Sequence, residues 1–119
     1  MAYNNGYKGH KDSIKVWVVF TMNTTTIRDS YNVSSVTDQG TGHCQINYIT
    51  ALPDSNYTCF ASADPRSGST NYSNGAVNQS ASYGKFYREG GSGSGHDTSG
   101  AAHFIVIGCL LYTSPSPRD

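Results

Sequence analysis

The residue types that most often carry metal chemistry are sparse in this chain. Its four histidines are scattered along 119 residues, and the adjacent His96 and Asp97 form the single metal-like cluster. Two ligands do not complete a zinc or calcium shell, and a His-Asp pair in a Gly/Ser-rich stretch is usually solvated loop. The sequence therefore predicts no metal site and no cofactor.

A catalytic nucleophile is equally hard to place. The run Gly91–Gly95 alternates Gly and Ser, but it lacks the G-x-S-x-G spacing and the strand-to-helix context of a nucleophile elbow. No Lys-Ser/Thr follows it, so it is not a phosphate-binding loop either. We expect the protein not to be an enzyme.

Three cysteines, Cys44, Cys59 and Cys109, give an odd count with no CxxC spacing, so the sequence does not indicate a metal-binding thiol set. Cys44 and Cys59 lie in segments that alternate like strands, where free thiols commonly act as small hydrophobes. A disulfide between these two remains the alternative.

Tyrosines are the most promising binding residues. Tyr72, Tyr83 and Tyr87 lie among Asn, Ser and Gly, a mixture that binding loops favour because Tyr gives rigid amphipathic contact and Asn and Ser adapt their hydrogen bonds. Tyrosines are also ordinary strand residues. These three are the candidate binding residues, and the alternative is that they only fill a sheet.

The composition excludes some classes of partner. Only 13% of residues are charged, and the net charge is +0, so nothing would draw the chain onto nucleic acid or anionic lipid. No apolar run is long enough to insert into a membrane, and none resembles a signal peptide. The low charge favours a permanent oligomer or a place within a larger protein.

The elements that must position these residues are strands. Ile14–Phe20 is apolar on both faces, with Trp17 and Val19 forming most of the second face. Such a strand is either central in a sandwich or covered by a neighbouring subunit. Val33–Thr37 and His43–Ile49 form a hairpin, because Gly40 and Gly42 in the connecting turn permit positive φ.

Alternating polarity predicts three further strands, at Tyr57–Ala63, Ser82–Arg88 and Ala102–Gly108. In Ser82–Arg88, Tyr83, Lys85 and Tyr87 share one face. The intervening segments Asp64–Ser82 and Glu89–Gly100 read as long loops. The predicted fold is all-β, a compact antiparallel β-sandwich with long Ser/Asn/Gly-rich loops.

Three segments carry a family resemblance: SIKVWVVF, IRDSYNVSSVTDQGTG and INYITALPDSNY. Together they resemble a small β-rich module found near the C-termini of phage tail-fibre and other virion structural proteins. The match is good from Ser13 to about Asn56, poor over Tyr57–Tyr87 and weak over Asp97–Gly108. Val19 stands where the family usually has Asn, and Cys44 where it usually has an aromatic residue.

The chain divides into three parts. Residues 1–12 read as a flexible arm, and 13–108 as the sandwich domain. Residues 109–119, CLLYTSPSPRD, match an in-frame translation of a sequencing adapter. We therefore expect a truncated metagenomic fragment in which Leu110–Asp119 is dispensable.

The resemblance implies a bacteriophage virion structural protein, the distal part of a tail fibre, located in the virion and assembled in the bacterial host cytoplasm. It implies a homotrimer and a role in attachment to the host surface. Tyr72, Tyr83 and Tyr87, the binding candidates chosen from their composition, would then stack on the sugar rings of a host-surface glycan. The trimer could cover Trp17 and Val19; alternatively Trp17 packs in the second layer of a monomer. Alternative functions are a purely structural decoration or trimerisation module, and a secreted carbohydrate-binding accessory β-sandwich.

Overall fold

A computed structural model describes residues 14–63, 72–90, 97 and 100–108, and these residues form eight strands, all paired antiparallel. The described residues contain no helix, and so none that could cross a membrane. The strands are β1 (Ile14–Thr21), β2 (Thr26–Tyr31), β3 (Val33–Asp38), β4 (His43–Tyr48), β5 (Thr58–Ala63), β6 (Tyr72–Val77), β7 (Tyr83–Gly90) and β8 (Ala101–Ile107).

The strands divide into two four-stranded sheets. Sheet A has the order β2-β1-β8-β5, and sheet B has the order β3-β4-β7-β6. Their inner faces enclose a single hydrophobic cluster. This arrangement confirms the predicted all-β antiparallel sandwich.

The core follows from the alternation of the strands. In β1, Val16, Val18 and Phe20 point inward and are almost fully buried, because successive side chains of a strand alternate between its faces. From sheet B, Ile46 and Phe86 are buried against them, and the Phe86 ring meets Phe20 edge-to-face at 5.5 Å between centroids. The predicted faces of β4 are confirmed, and those of β1 are confirmed from Val16 to Phe20. Ile14 was expected on the same face as Val16, but it is 48% exposed, because the register of β1 shifts between Ile14 and Val16.

The β3–β4 turn confirms the predicted glycine roles. Gly40 has φ 124° and Gly42 has φ 77°, values that glycine adopts without steric cost. The backbone N–H of Gln39 donates to His43 O at 2.9 Å, and that of His43 donates to Gly40 O at 3.0 Å. The hairpin register is therefore held by backbone bonds on both sides of the turn.

Asn32 makes the crossover from sheet A to sheet B in a single residue. Its φ is 61°, a left-handed conformation that Asn tolerates better than most residues. Its side-chain amide donates to Lys15 O at 3.2 Å and Thr50 O at 3.1 Å, and its Oδ1 accepts from Thr50 N at 2.7 Å. One side chain thus ties the start of β1 to the segment that follows β4.

Several predicted boundaries were wrong. The expected loop Asp64–Ser82 contains strand β6, which pairs along its length with β7; residues 64–71 lie outside the described part. The expected loop Glu89–Gly100 was predicted to start two residues too early, because Glu89 and Gly90 belong to β7. Ile27–Ser30 does not simply lead into the hairpin but forms most of a separate strand, β2, paired with β1.

The two cysteines in the described residues are free thiols: Cys44 is buried and Cys59 is half-buried. Burial raises the pKa of the Cys44 thiol to about 12, with Asp97 and Asp38 contributing. The thiols therefore act as small hydrophobic side chains, and the alternative of a Cys44–Cys59 disulfide is wrong. The predicted arm 1–12, Cys109 and the adapter-like segment 109–119 lie outside the described residues.

Candidate binding face

The outer surface of sheet B carries a continuous set of polar and aromatic side chains, which we call the polar face. Its members project from three adjacent strands, β3, β4 and β7, at alternate positions. They are Ser35, Thr37, His43, Gln45, Asn47, Tyr83, Lys85 and Tyr87. This face includes two of the three tyrosines that the sequence singled out.

Strand pairing sets the order of the face. The β4–β7 register places His43 opposite Tyr87, Gln45 opposite Lys85, and Asn47 opposite Tyr83. Directly opposed side chains in an antiparallel pair lie close enough to interact. Each β7 residue therefore has a polar neighbour on β4.

A chain of amide hydrogen bonds orders the β3–β4 side of the face. Gln39 Nε2 donates to Gln45 Oε1 at 3.1 Å, and Gln45 Nε2 donates to Asn47 Oδ1 at 2.8 Å. Asn47 Nδ2 in turn reaches Thr37 Oγ1 at 2.8 Å and Ser35 Oγ at 3.0 Å. These bonds preorganise the side chains, which lowers the entropy cost of binding a polar ligand.

Lys85 lies at the centre of the face and is held in place. Its Nζ donates to Gln39 Oε1 and lies 5.7 Å from the centroid of the Tyr83 ring. This distance is within the range of a cation–π interaction. The hydrogen bond to Gln39 directs the Lys85 ammonium toward the β3 side of the face, while the ammonium remains in contact with the Tyr83 ring.

His43 and Tyr87 form the other end of the face. Their rings stack with centroids 4.2 Å apart and planes inclined by 24°. Burial lowers the pKa of His43, and the nearby Lys85 charge lowers it further. The imidazole is therefore neutral at pH 7, and it supports the Tyr87 ring as an aromatic surface.

The three candidate tyrosines have different outcomes. Tyr83 and Tyr87 lie on one face of β7, four residues apart, as the alternation predicted. For Tyr72 the structure describes the backbone, which pairs with Gly90 in β6–β7; its side chain lies outside the described part. Tyr72 is thus a strand residue and not the loop residue that was expected.

The sequence did not connect the tyrosines with His43, Gln45 and Asn47. All three were predicted to point outward from β4, but the pairing of β4 with β7 joins segments about forty residues apart. Of the His96–Asp97 pair, which the sequence analysis interpreted as solvated loop, the structure describes Asp97. Asp97 Oδ1 accepts from the Gly42 N–H at 2.7 Å, and no three His, Cys, Asp or Glu side chains of the described segments group as metal ligands.

The outer surface of sheet A is chemically different. The strand registers place Tyr31, Trp17, Ile105 and Phe60 in one row across all four strands, which we call the apolar row. Tyr31 is 54% exposed and Phe60 56%. Trp17 lies in this row outside the core, so the alternative in which it packs in a second layer of a monomer is wrong.

Comparison with protein-family models, with curated proteins and with solved structures gives no match.

Proposed function

We propose that this chain is a non-enzymatic structural domain of a bacteriophage virion, the distal part of a tail fibre, and that its polar face attaches to a host-surface glycan. The observation that carries the binding part is the placement of Tyr83, Lys85 and Tyr87 in one outward row beside an ordered amide chain. Sugar sites combine aromatic surface with a few placed polar groups. The virion assignment rests on the resemblance of Ser13–Asn56.

Rigid positioning supports the same proposal. The tyrosines are on a strand with hydrogen-bonded neighbours on both sides, β4 and β6, and not on a long loop as the sequence suggested. A site on paired strands loses little conformational entropy when a ligand binds. The domain would therefore present a preformed surface to the host.

Assembly follows from the opposite side of the sandwich. We propose that the domain is a homotrimer in the virion, assembled in the host cytoplasm, and that neighbouring copies cover the apolar row. Tyr31 and Phe60 are large and more than half exposed, and aromatic residues of this kind are enriched at interfaces. The apolar row also favours the second candidate, a purely structural decoration or trimerisation module without receptor contact.

The attachment proposal is tested with fluorescently labelled protein on an array of bacterial surface polysaccharides and on intact host cells. We expect Tyr83→Ala and Tyr87→Ala each to weaken binding by about tenfold or more, because aromatic anchors dominate such contacts. The thermal midpoint should change little, since both side chains point outward. The control is Ser62→Ala, an exposed substitution on sheet A.

Retention of binding by both tyrosine variants would reject the polar face as the attachment site. Release of shortened saccharides from the array would reject the non-enzymatic assignment. A secreted carbohydrate-binding accessory domain could use the same polar face, so gene context must distinguish it from a tail fibre. An adjoining glycoside-hydrolase domain would support the accessory domain, and adjoining virion genes would support the fibre.

A further inference from the structure

Gly75 leaves one side of the Tyr87 ring without a cross-strand side chain. In sheet B, Tyr87 of β7 lies between His43 of β4 and Gly75 of β6. The ring stacks on His43, so its second face is directed toward β6. A Cβ built on Gly75 meets no atom within 4 Å, and the position beside the ring is therefore open space.

The surroundings of this gap are small or polar. On β6, the positions two before and two after Gly75 are Ser73 and Val77, and both are exposed. Ser73 pairs with Glu89 of β7, whose side chain is also exposed. The gap therefore has an aromatic wall, a hydroxyl and a carboxylate at one end, and an apolar side chain at the other.

The charge beside the gap is negative. Arg88 of β7 is buried on the inner face, and the outward-facing cation of β7, Lys85, has its Nζ bonded to Gln39, on the β3 side of the sheet and away from β6. Among the described residues on the outer face of β6 and β7, Glu89 is therefore the charged group that a ligand in the gap would meet. A carboxylate accepts hydrogen bonds from hydroxyl groups and repels a second anion.

We propose that the gap beside Gly75 is a subsite for one neutral hexopyranose ring, a deepening that rests on the proposed glycan-binding function. The C–H face of the sugar packs on the free face of Tyr87, because the electron-rich ring face attracts polarised C–H groups and the contact removes apolar surface from water. Sugar hydroxyls donate to the Glu89 carboxylate and exchange hydrogen bonds with Ser73. Uronic and sialic acids are excluded by the charge of Glu89.

The test is NMR titration of the full-length, isotope-labelled chain with methyl glycosides of glucose, galactose and mannose, and separately with N-acetylneuraminic acid. We expect a neutral glycoside to shift the Tyr87 ring protons and the Gly75 amide in the millimolar range. Gly75→Val fills the open space and should weaken this binding by about tenfold or more. Glu89→Gln should weaken it less and relax the exclusion of the acid sugar.

A matched control keeps the result interpretable. Ser62→Val adds the same side chain to the exposed face of β5, the edge strand of sheet A, and should leave the titration unchanged. Valine suits a strand, and a Cβ at residue 75 meets no neighbour, so Gly75→Val should fold with an unchanged or higher thermal midpoint.

Unchanged affinity in Gly75→Val, or ring shifts at Tyr83 without shifts at Tyr87, would overturn the subsite while leaving glycan attachment by the polar face intact. Preference for N-acetylneuraminic acid would overturn the assignment of a neutral sugar. Absence of any shift with all three neutral glycosides would also overturn the subsite. The proposed function fails separately, when the polysaccharide array and the host cells give no binding.

Discussion

At the scale of single residues, two tyrosine hydroxyls inside the sandwich form a linked set of hydrogen bonds. Tyr57 Oη lies 2.8 Å from Ser80 O and 3.0 Å from Tyr83 O, both acceptors, so Tyr57 donates its proton there. Tyr48 Oη, 2.9 Å from Tyr57 Oη, is then the donor in their shared bond. The pair connects β4 and the residue before β5 to the start of β7, and it satisfies buried polar groups.

Both hydroxyls resist ionisation. Burial raises the pKa of Tyr48, and the hydrogen bond with Tyr57 raises it further. Burial also raises the pKa of Tyr57. In the unfolded chain these groups lose their protons near pH 10, and Cys44 near pH 8.5. Between the unfolded and the folded pKa values, the unfolded state therefore holds fewer protons than the folded state.

We predict alkaline destabilisation as a result. The contribution of these groups to stability is complete at neutral pH and is lost as the pH rises above about 9. Denaturant unfolding at a series of pH values measures it directly. Tyr48→Phe should cost about 1 kcal/mol at neutral pH for the lost hydrogen bond and should make the alkaline decline shallower. An equally steep decline in that variant would show that Tyr48 does not drive it.

At the scale of elements, the sequence predicted those strands that bury one face. β1, β4, β7 and β8 alternate clearly, and their inward residues supply most of the core. β6 was missed because its sequence, YSNGAV, contains Ser, Asn and Gly, which have low strand propensity. Its hydrogen-bonded pairing with β7 stabilises β6 as a strand although its own residues have low strand propensity. The segment of β2 was predicted to lead directly into the β3–β4 hairpin, because only one residue, Asn32, separates β2 from β3 and the sequence shows no loop between them.

The candidate site was predictable only within one strand. The alternation of Ser82–Arg88 placed Tyr83, Lys85 and Tyr87 on one face, and that is confirmed. Their neighbours depend on which strands pair and in which register, and long-range pairing is not encoded by a local pattern. The position of Gly75 opposite Tyr87 likewise follows from the β6–β7 register, which no local pattern indicates.

Two glycines on adjacent strands of sheet B give a prediction at this scale. A Cβ on Gly84 would lie 2.5 Å from Phe104 Cζ and 2.6 Å from Tyr48 Oη, whereas one on Gly75 meets nothing. We expect Gly84→Ala to lower the free energy of unfolding by about 1–3 kcal/mol through overpacking. Gly75→Ala should be neutral or slightly stabilising. Urea unfolding of both variants measures the difference, and equal effects would contradict the packing described for Gly84.

At the scale of the whole molecule, the two outer faces of the sandwich differ in kind. The outer face of sheet B is an ordered polar surface, and that of sheet A has the apolar row across its full width. A protein with 13% charged residues has little electrostatic protection against association through such a row. The outer face of sheet B is thus suited to a polar, hydrated ligand, and the outer face of sheet A is suited to contact with another protein surface.

The proposed trimer is tested by light scattering over a range of protein concentrations. We expect the mass of three chains for the unsubstituted chain, and of one chain for Phe60→Lys, because a lysine in the apolar row would be buried without a partner. Val77→Lys, at an exposed apolar position on sheet B, is the control and should remain trimeric. A monodisperse monomer of the unsubstituted chain at high concentration rejects the assembly.

The position of β8 has a consequence for biosynthesis. β8 is the last of the described strands in sequence order, yet it lies inside sheet A and separates β1 from β5. Ile14 at the start of β1 pairs with Ile107 at the end of β8, so a nascent chain holds two strands with unpaired edges until β8 leaves the ribosome. Contacts this distant in sequence form slowly, and exposed strand edges invite pairing with other chains. Sheet B has all four of its strands once Gly90 has emerged, and it is therefore the half that can form while synthesis continues.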